Sequence, residues 1–218
     1  MAGRWVSRGF NRGLIAWAGK ETRSSGQQNF AAGTKVGGQL LKSTGTETIW
    51  IPAAAMRPTS SNGCASITDV ETTAGRPDIQ VLDFDASADE AAQFQISMPK
   101  SWNEGTITYQ VYWCTTASDT DGVAWALQAV SVSENETMDQ AYGTAVVVTD
   151  DHSGAGGGED LRVTATSSAL TVGGSPAVGD LCFFRIFRDV SDANDDMAED
   201  ARLLGVKIFF TSDAPHDG

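Results

Sequence analysis

Asp150-Asp151-His152-Ser153 places an acid, a base and a nucleophile side by side, the residue types with which a hydrolase activates a serine. Neighbours in one loop do not reach triad geometry, and no G-x-S-x-G elbow presents a serine at a strand-to-helix turn. The expectation is therefore a set of solvated turn residues. The other histidine, His216, stands two residues from the end and is read as frayed. Acidic groups at Asp83/Asp85, Asp89/Glu90, Asp119/Asp121 and Asp192/Asp195/Asp196 have the chemistry for Ca²⁺. Counted as a calcium loop from Asp192, however, the sixth place is Met197 instead of Gly and the twelfth is Leu203 instead of Glu. Ca²⁺ binding by the acidic loops stays open, as does glycoside hydrolysis by paired carboxylates, whose separation a sequence does not give.

Gly154-Ala155-Gly156-Gly157-Gly158 has the composition of a phosphate loop but is followed by Glu159 and Asp160, which repel phosphate, and no Lys-Ser or Lys-Thr closes it. A strand connection is the better reading. Cys64, Cys114 and Cys182 form no C-x-x-C pair and have no histidine at ligand spacing, which excludes a structural zinc. Cys114 and Cys182 sit in apolar runs and are expected to be buried as small hydrophobes. Neither a cofactor nor a metal is expected, and no catalytic residue. Trp102, in Pro99-Lys100-Ser101-Trp102-Asn103-Glu104-Gly105, is read first as a ring packed in the core or an interface, closing one end of the sandwich; the other reading is a ring that its turn exposes to stack on a glycan.

These groups need a scaffold, and charge divides the 218 residues in two. Residues 1–45 carry seven cations against Glu21 alone, a net +6, which leaves −19 of the total −13 on the remaining 173. Opposite charge on a short arm and a body suggests different partners for the two ends. Arg4, Arg8 and Arg12 recur at helical spacing, as do Phe10, Leu14 and Trp17, but four glycines interrupt them, so an extended segment that orders on a protein partner is favoured. Arg4, Trp5, Arg8, Phe10, Arg12 and Trp17 are the expected docking residues. The only early apolar run, Gly13 to Gly19, is too short for a secretory signal, and the odd cysteine count suits a reducing cytosol. No run of about 20 apolar residues is present to form a membrane helix, and neither membrane insertion nor nucleic acid is expected.

From Thr46 onward apolar residues alternate with the period of half-buried strands: Ile107, Tyr109, Val111 and Trp113 oppose Thr108, Gln110, Tyr112 and Cys114. Nine strands are expected, at 46–52, 80–85, 92–98, 105–115, 123–132, 144–149, 160–172, 180–190 and 201–212, separated by Asp-, Ser- and Gly-rich turns. A phase slip between Leu127 and Val130 predicts a bulge in 123–132, and Leu181–Phe187, apolar on both faces apart from Arg185, reads as a central strand covered on two sides. Only 134–142 and 194–200 have room for a turn or two of helix. The fold class is all-β: a jelly-roll-like two-sheet antiparallel sandwich with an extended basic N-terminal arm, divided as arm and linker at 1–45 and sandwich at 46–218.

TETIWIPAAAMRP (46–58), DFDASADEAAQFQISMPKSWNEG (83–105) and RDVSDANDDMAEDARLLGVKIFF (188–210) resemble segments of β-rich virion proteins encoded among the structural genes of tailed bacteriophages, particularly marine ones. The resemblance spans roughly residues 46–212 and implies a jelly-roll-like module of a fibre, spike or capsid decoration. Such modules are commonly trimeric and anchored to the particle by an N-terminal segment. It carries no active-site signature. The expectation is a non-enzymatic virion protein, made in the bacterial cytoplasm, whose arm docks on capsid, neck or tail proteins and whose body projects and touches host surface glycans. A tail or head fibre is preferred to a capsid decoration (cement) protein; a carbohydrate-active enzyme and a soluble lectin are the alternatives. A homotrimer is expected to cover Tyr112, Phe183, Phe187 and Phe209, which fall on the second faces of their strands.

Overall fold

The computed structural model describes residues 44–154, 159–177 and 179–212, with the backbone of two short hairpins upstream. The chain divides into two units, Met1–Ser43 and Thr44–Gly218. In the first, β1 (Thr22–Ser24) pairs with β2 (Gln27–Asn29) and β3 (Lys35–Val36) with β4 (Gln39–Leu40), both antiparallel.

The second unit continues with β5 (Gly45–Pro52), a 3₁₀ turn at Ala53–Ala55, β6 (Arg57–Pro58), β7 (Thr68–Glu71), β8 (Asp78–Phe84), β9 (Ala91–Ser97) and β10 (Trp102–Cys114). There follow β11 (Gly122–Val132), β12 (Val146–Asp151), β13 (Arg162–Val163), β14 (Leu181–Arg188) and β15 (Ala201–Ser212). One sheet runs β13-β10-β15-β8-β7, with β5 sharing the β15 edge; the other runs β12-β11-β14-β9-β6. All these ladders are antiparallel, so the unit is the expected two-sheet sandwich. Among the described residues no helix is long and apolar enough to cross a membrane.

Alternation writes the core directly. Ile107, Tyr109, Val111 and Trp113 of β10 are buried against inward residues of the facing sheet in one apolar cluster. Aromatic pairs set its spacing: Phe84 meets Trp125 edge-on at 5.1 Å, and Phe94 stacks on Phe184 at 5.0 Å. The Tyr109 hydroxyl, wholly buried, reaches the carbonyls of Val146 (2.6 Å) and Trp125 (3.0 Å), and burial raises its pKa far above the ordinary tyrosine value.

Four expectations need correction. The bulge is absent from β11, which keeps unbroken register with both neighbours. Its apolar phase slips because both faces are covered: Ala124 and Ala126 on the outer side are as buried as Trp125 and Leu127. Irregularities lie instead in the β10–β15 ladder: one between Trp102 and Ile107, and one where Tyr112 pairs Gly205 and Trp113 pairs Leu203, leaving Leu204 as the extra residue of β15. Second, 160–172 is strand only at Arg162–Val163. Beyond it, Thr164, Ser167 and Leu170, three apart, are matched to Val111, Tyr109 and Ile107, two apart. The Thr164 and Ser167 hydroxyls accept from the β10 amides at 3.0 Å in place of carbonyls, and the surplus residue of each step loops out. Third, β14 is central in its sheet but covered on one face only, since Leu181, Phe183, Arg185 and Phe187 stay half-exposed. Fourth, neither 134–142 nor 194–200 forms a helix.

Candidate functional site

The outer face of the five-stranded sheet, covered along most of β11, where Ala126 and Val130 are buried, and open at Arg57 of β6, Gln93 and Gln95 of β9 and the outward residues of β14, follows from its register. Partners directly opposite in an antiparallel ladder point to the same side. Arg57 pairs Gln93, Gln93 pairs Arg185, and Arg185 pairs Gln128, so one row of planar polar side chains crosses β6, β9, β14 and β11 on the outer face. The next row holds Gln95, Phe183 and Val130, and the row on the other side Ala91, Phe187 and Ala126. With the Gln93 amide oxygen turned toward it, Arg57 donates from Nε (3.2 Å) and Nη2 (2.7 Å). The Arg185 guanidinium lies 4.9 Å over the Phe187 ring. Ala55, Arg57, Gln93, Phe94, Gln95 and Phe183 line an open cavity of about 340 Å³ at this row. Tyr142 belongs to the same neighbourhood. Burial raises its phenol pKa, while Arg185 and Arg57 act on it in the opposite direction.

The opposite sheet also shows aromatic surface. Trp50, 48% exposed, meets Tyr112 edge-on at 4.8 Å, and Lys207 lies 5.2 Å over Phe209. Tyr112 and Phe209 therefore belong to one outer face and Phe183 and Phe187 to the other, all four half-buried. Close packing depends on Gly205: a Cβ there would stand 2.5 Å from the Trp50 indole and 2.6 Å from the Ile51 carbonyl oxygen.

The residues singled out from the sequence do not converge. Arg4, Trp5, Arg8, Phe10, Arg12, Trp17, His216 and the glycines of 155–158 lie outside the described residues. Trp102 is 3% exposed at the start of β10 and closes one end of the core, so its ring is covered and offers no platform for a sugar. His152 is buried, at 1% exposure, and not a solvated turn residue. Its Nδ1 is 2.7 Å from the Asp119 carbonyl oxygen and its Nε2 has no partner among the described residues, while Asp150 accepts from Trp113 Nε1 at 2.8 Å and Ser153 Oγ from Arg162. Acid, base and nucleophile thus each face elsewhere.

The acidic side chains mostly cap turns. Asp85 accepts from Ser87 N (2.6 Å), Asp89 from Val190 N (3.0 Å) and Asp192 from Asn194 N (2.9 Å). Asp196 accepts from Gly122 N at 2.7 Å, and Asp195 pairs with Arg188 at 2.8 Å. Among the described residues no three acidic, cysteine or histidine groups stand where they could hold a metal ion. Cys64, Cys114 and Cys182 are free and buried, and burial pushes the Cys64 and Cys114 thiols up to about 12.

Arg188 was not singled out by the sequence, where it reads as the end of an apolar strand. It is fully buried and organises the 189–200 segment: Nη1 donates to the carbonyls of Glu199 (2.8 Å) and Phe84 (3.2 Å), and Nη2 to that of Met197. The row of Arg57, Gln93, Arg185 and Gln128 is likewise not apparent from the sequence. Its only trace in the sequence is a polar residue at every second place of β9 and one cation inside the apolar run of β14; the register that joins them comes from the fold.

No protein-family model matches the chain, and no curated protein matches it. Solved structures resemble it at low scores. One is the CBM36-1 domain of a multidomain xylanase from the hindgut metagenome of Trinervitermes trinervoides, at 9% identity over 74% of this chain and 96% of that one, with a TM-score of 0.40. Another is the family 11 carbohydrate-binding module from Clostridium thermocellum in complex with a β-1,3-1,4-mixed-linked tetrasaccharide, at 6% identity, 79% and 90% coverage, and 0.35. A Stig cyclase from Fischerella sp. TAU is similar at 10% identity, 79% and 76% coverage, and 0.34. Likeness at this level carries no argument about ligand or activity.

Proposed function

We propose that the chain is a non-enzymatic structural protein of a tailed-phage virion, of fibre or spike type, whose sandwich projects from the particle and contacts host surface glycans through the open face of the β12-β11-β14-β9-β6 sheet. The observation that carries the glycan contact is the row Arg57–Gln93–Arg185–Gln128 beside half-exposed Phe183 and Phe187. Planar amide and guanidinium groups bond adjacent hydroxyls in pairs, and an aromatic face receives the apolar side of a sugar ring. Four strands fix these side chains, so little order has to be gained on binding.

The particle assignment is supported by the three sequence segments that resemble phage virion proteins and by a basic first unit followed by an acidic sandwich. In this reading the first unit docks through Arg4, Trp5, Arg8, Phe10, Arg12 and Trp17. Three copies associate through the Trp50–Tyr112 face of the other sheet, which covers only Tyr112 and Phe209 of the four rings expected at that contact and leaves Phe183, Phe187 and the polar row open. The test has two parts: antibody labelling of purified particles, and binding of the purified full chain to host cells with and without competing host polysaccharide. Labelled particles and competed binding are expected. Binding without labelling makes the protein a free lectin, and labelling without binding makes it a capsid decoration; either result refutes the proposal.

A further inference from the structure

The proposed site differs in charge from the protein that bears it. Counted along its strands, the open face presents Val147, Thr149 and Asp151 from β12, and Arg57 and Arg185 from β6 and β14, the remaining outward residues being uncharged. Asp151 stands at the end of β12, opposite Gly122, away from the polar row. In a chain of net charge −13 this surface therefore keeps two cations, and among the described residues neither has a carboxylate within ion-pair reach. Two other described β-sheet arginines behave differently, Arg188 being consumed by Asp195 and Arg202 by Asp83 and Glu159, while Arg162 of β13 donates to the Ser153 hydroxyl.

We infer that the cavity beside Arg57 and Arg185 binds an acidic glycan, with the carboxylate of a uronic or similar sugar acid between the two guanidinium groups; the inference rests on the glycan-binding reading above. Arginine matches a carboxylate with a planar fork of donors. Arg57 is braced by Gln93 through Nε and Nη2, which leaves Nη1 without an acceptor among the described residues, and Arg185 is held over Phe187. Both charges are thus positioned before a ligand arrives. That Arg57 and Arg185 both act on the Tyr142 phenol places a neutral hydroxyl in the field of the two. The lining adds what a sugar acid needs beyond its charge: the Gln93 and Gln95 amides for hydroxyls and the Phe183 ring as an apolar wall. About 340 Å³ accommodates one or two sugar rings, and a bare phosphate would leave the aromatic wall unused.

The experiment is calorimetric titration of the full chain at low salt with four probes of matched length: a neutral glucan oligomer, oligogalacturonate, a sulfated glucan oligomer and a poly-glutamate peptide. Oligogalacturonate should bind at least about tenfold more tightly than the neutral glucan, the effect of one charge-assisted contact. This preference should shrink in 1 M salt and vanish in Arg57→Met and in Arg185→Met, each variant binding oligogalacturonate no more tightly than the neutral glucan. Arg57 is exposed and Arg185 half-exposed, so both variants should melt with the wild type. Equal affinity for neutral and carboxylated glycans overturns this inference alone. So does tighter binding of the sulfated oligomer or the peptide, or a preference that survives both substitutions. Failure of every glycan to bind overturns the glycan-binding reading with it.

Discussion

Arg188→Met removes a charge that the fold has no water to replace. Arg188 and Asp195 have side-chain exposures of 0% and 2%, and they meet through Nε at 3.1 and 3.0 Å and Nη2 at 2.8 Å. Without the guanidinium, Asp195 keeps the Ala124 amide at 3.0 Å, and the carbonyls of Phe84, Glu199 and Met197 lose a donor. Stranding one partner of such a buried pair costs about 3–5 kcal/mol. For a unit of this size each kcal/mol lowers Tm by about 2–4 °C, so a drop of about 6–20 °C is expected. Urea unfolding should show a lower midpoint with an unchanged slope. Adding Asp195→Leu should recover part of the loss by removing the stranded carboxylate, but not all, because three carbonyls still lack their donor. A loss below about 1 kcal/mol, or a double variant less stable than the single one, would refute the assignment of Arg188 as the anchor of the 189–200 segment.

Gly205→Ala should cost about 1–3 kcal/mol in urea unfolding and make Trp50 more accessible to iodide quenching, because the new Cβ meets both the indole and the Ile51 carbonyl; an unchanged midpoint contradicts that packing. Asp180 gives a pH dependence. Burial pushes its carboxyl up, but bonds from the Ser131 and Ser133 hydroxyls (2.8 and 2.9 Å) and the Ala177 amide (2.9 Å) outweigh that and hold it below its ordinary value. A depressed carboxylate contributes stability above its unfolded pKa of about 3.9 and loses it as pH falls through the folded value. Asp180→Asn should therefore be less stable than wild type at pH 7, with the gap closing below about pH 4; a gap independent of pH refutes this. Deleting residues 1–43 should leave a cooperatively melting sandwich, since β5 to β15 pair among themselves from Gly45 onward, and should abolish incorporation into particles that lack the protein. Equal incorporation of the truncated and full chains refutes the docking role.

The sandwich was legible because its core strands obey a period of two: β5, β8, β9, β10, β12, β14 and β15 begin and end within a few residues of where alternation puts them. Legibility failed where a local rule met a tertiary substitution. In 164–170 hydroxyls take the place of ladder carbonyls, so Ser and Thr, read as strand residues, mark a segment that is not strand. In β11 a covered outer face erased the polar half of the pattern and mimicked a bulge. β6 and β7, of two and four residues, carry too little pattern to be seen. The candidate site was the least readable element. Arg57, Gln93, Arg185 and Gln128 lie up to 128 positions apart between the first and the third, and only strand order and register make them neighbours. Trp102, although it lies by a turn, begins a strand, and a large apolar ring there is more strongly drawn to the core than to solvent.

The most direct test of the account is adsorption of particles carrying the wild-type chain or the double variant Gln93→Ala/Phe183→Ala to host cells, with incorporation of the chain measured on the same particles. Both side chains are partly exposed on the open face, so the variant should fold and incorporate normally. The account predicts equal incorporation and adsorption reduced at least about tenfold, as the loss of one amide contact and one aromatic contact requires. Equal incorporation with unchanged adsorption, or absence of the wild-type chain from particles, would contradict it.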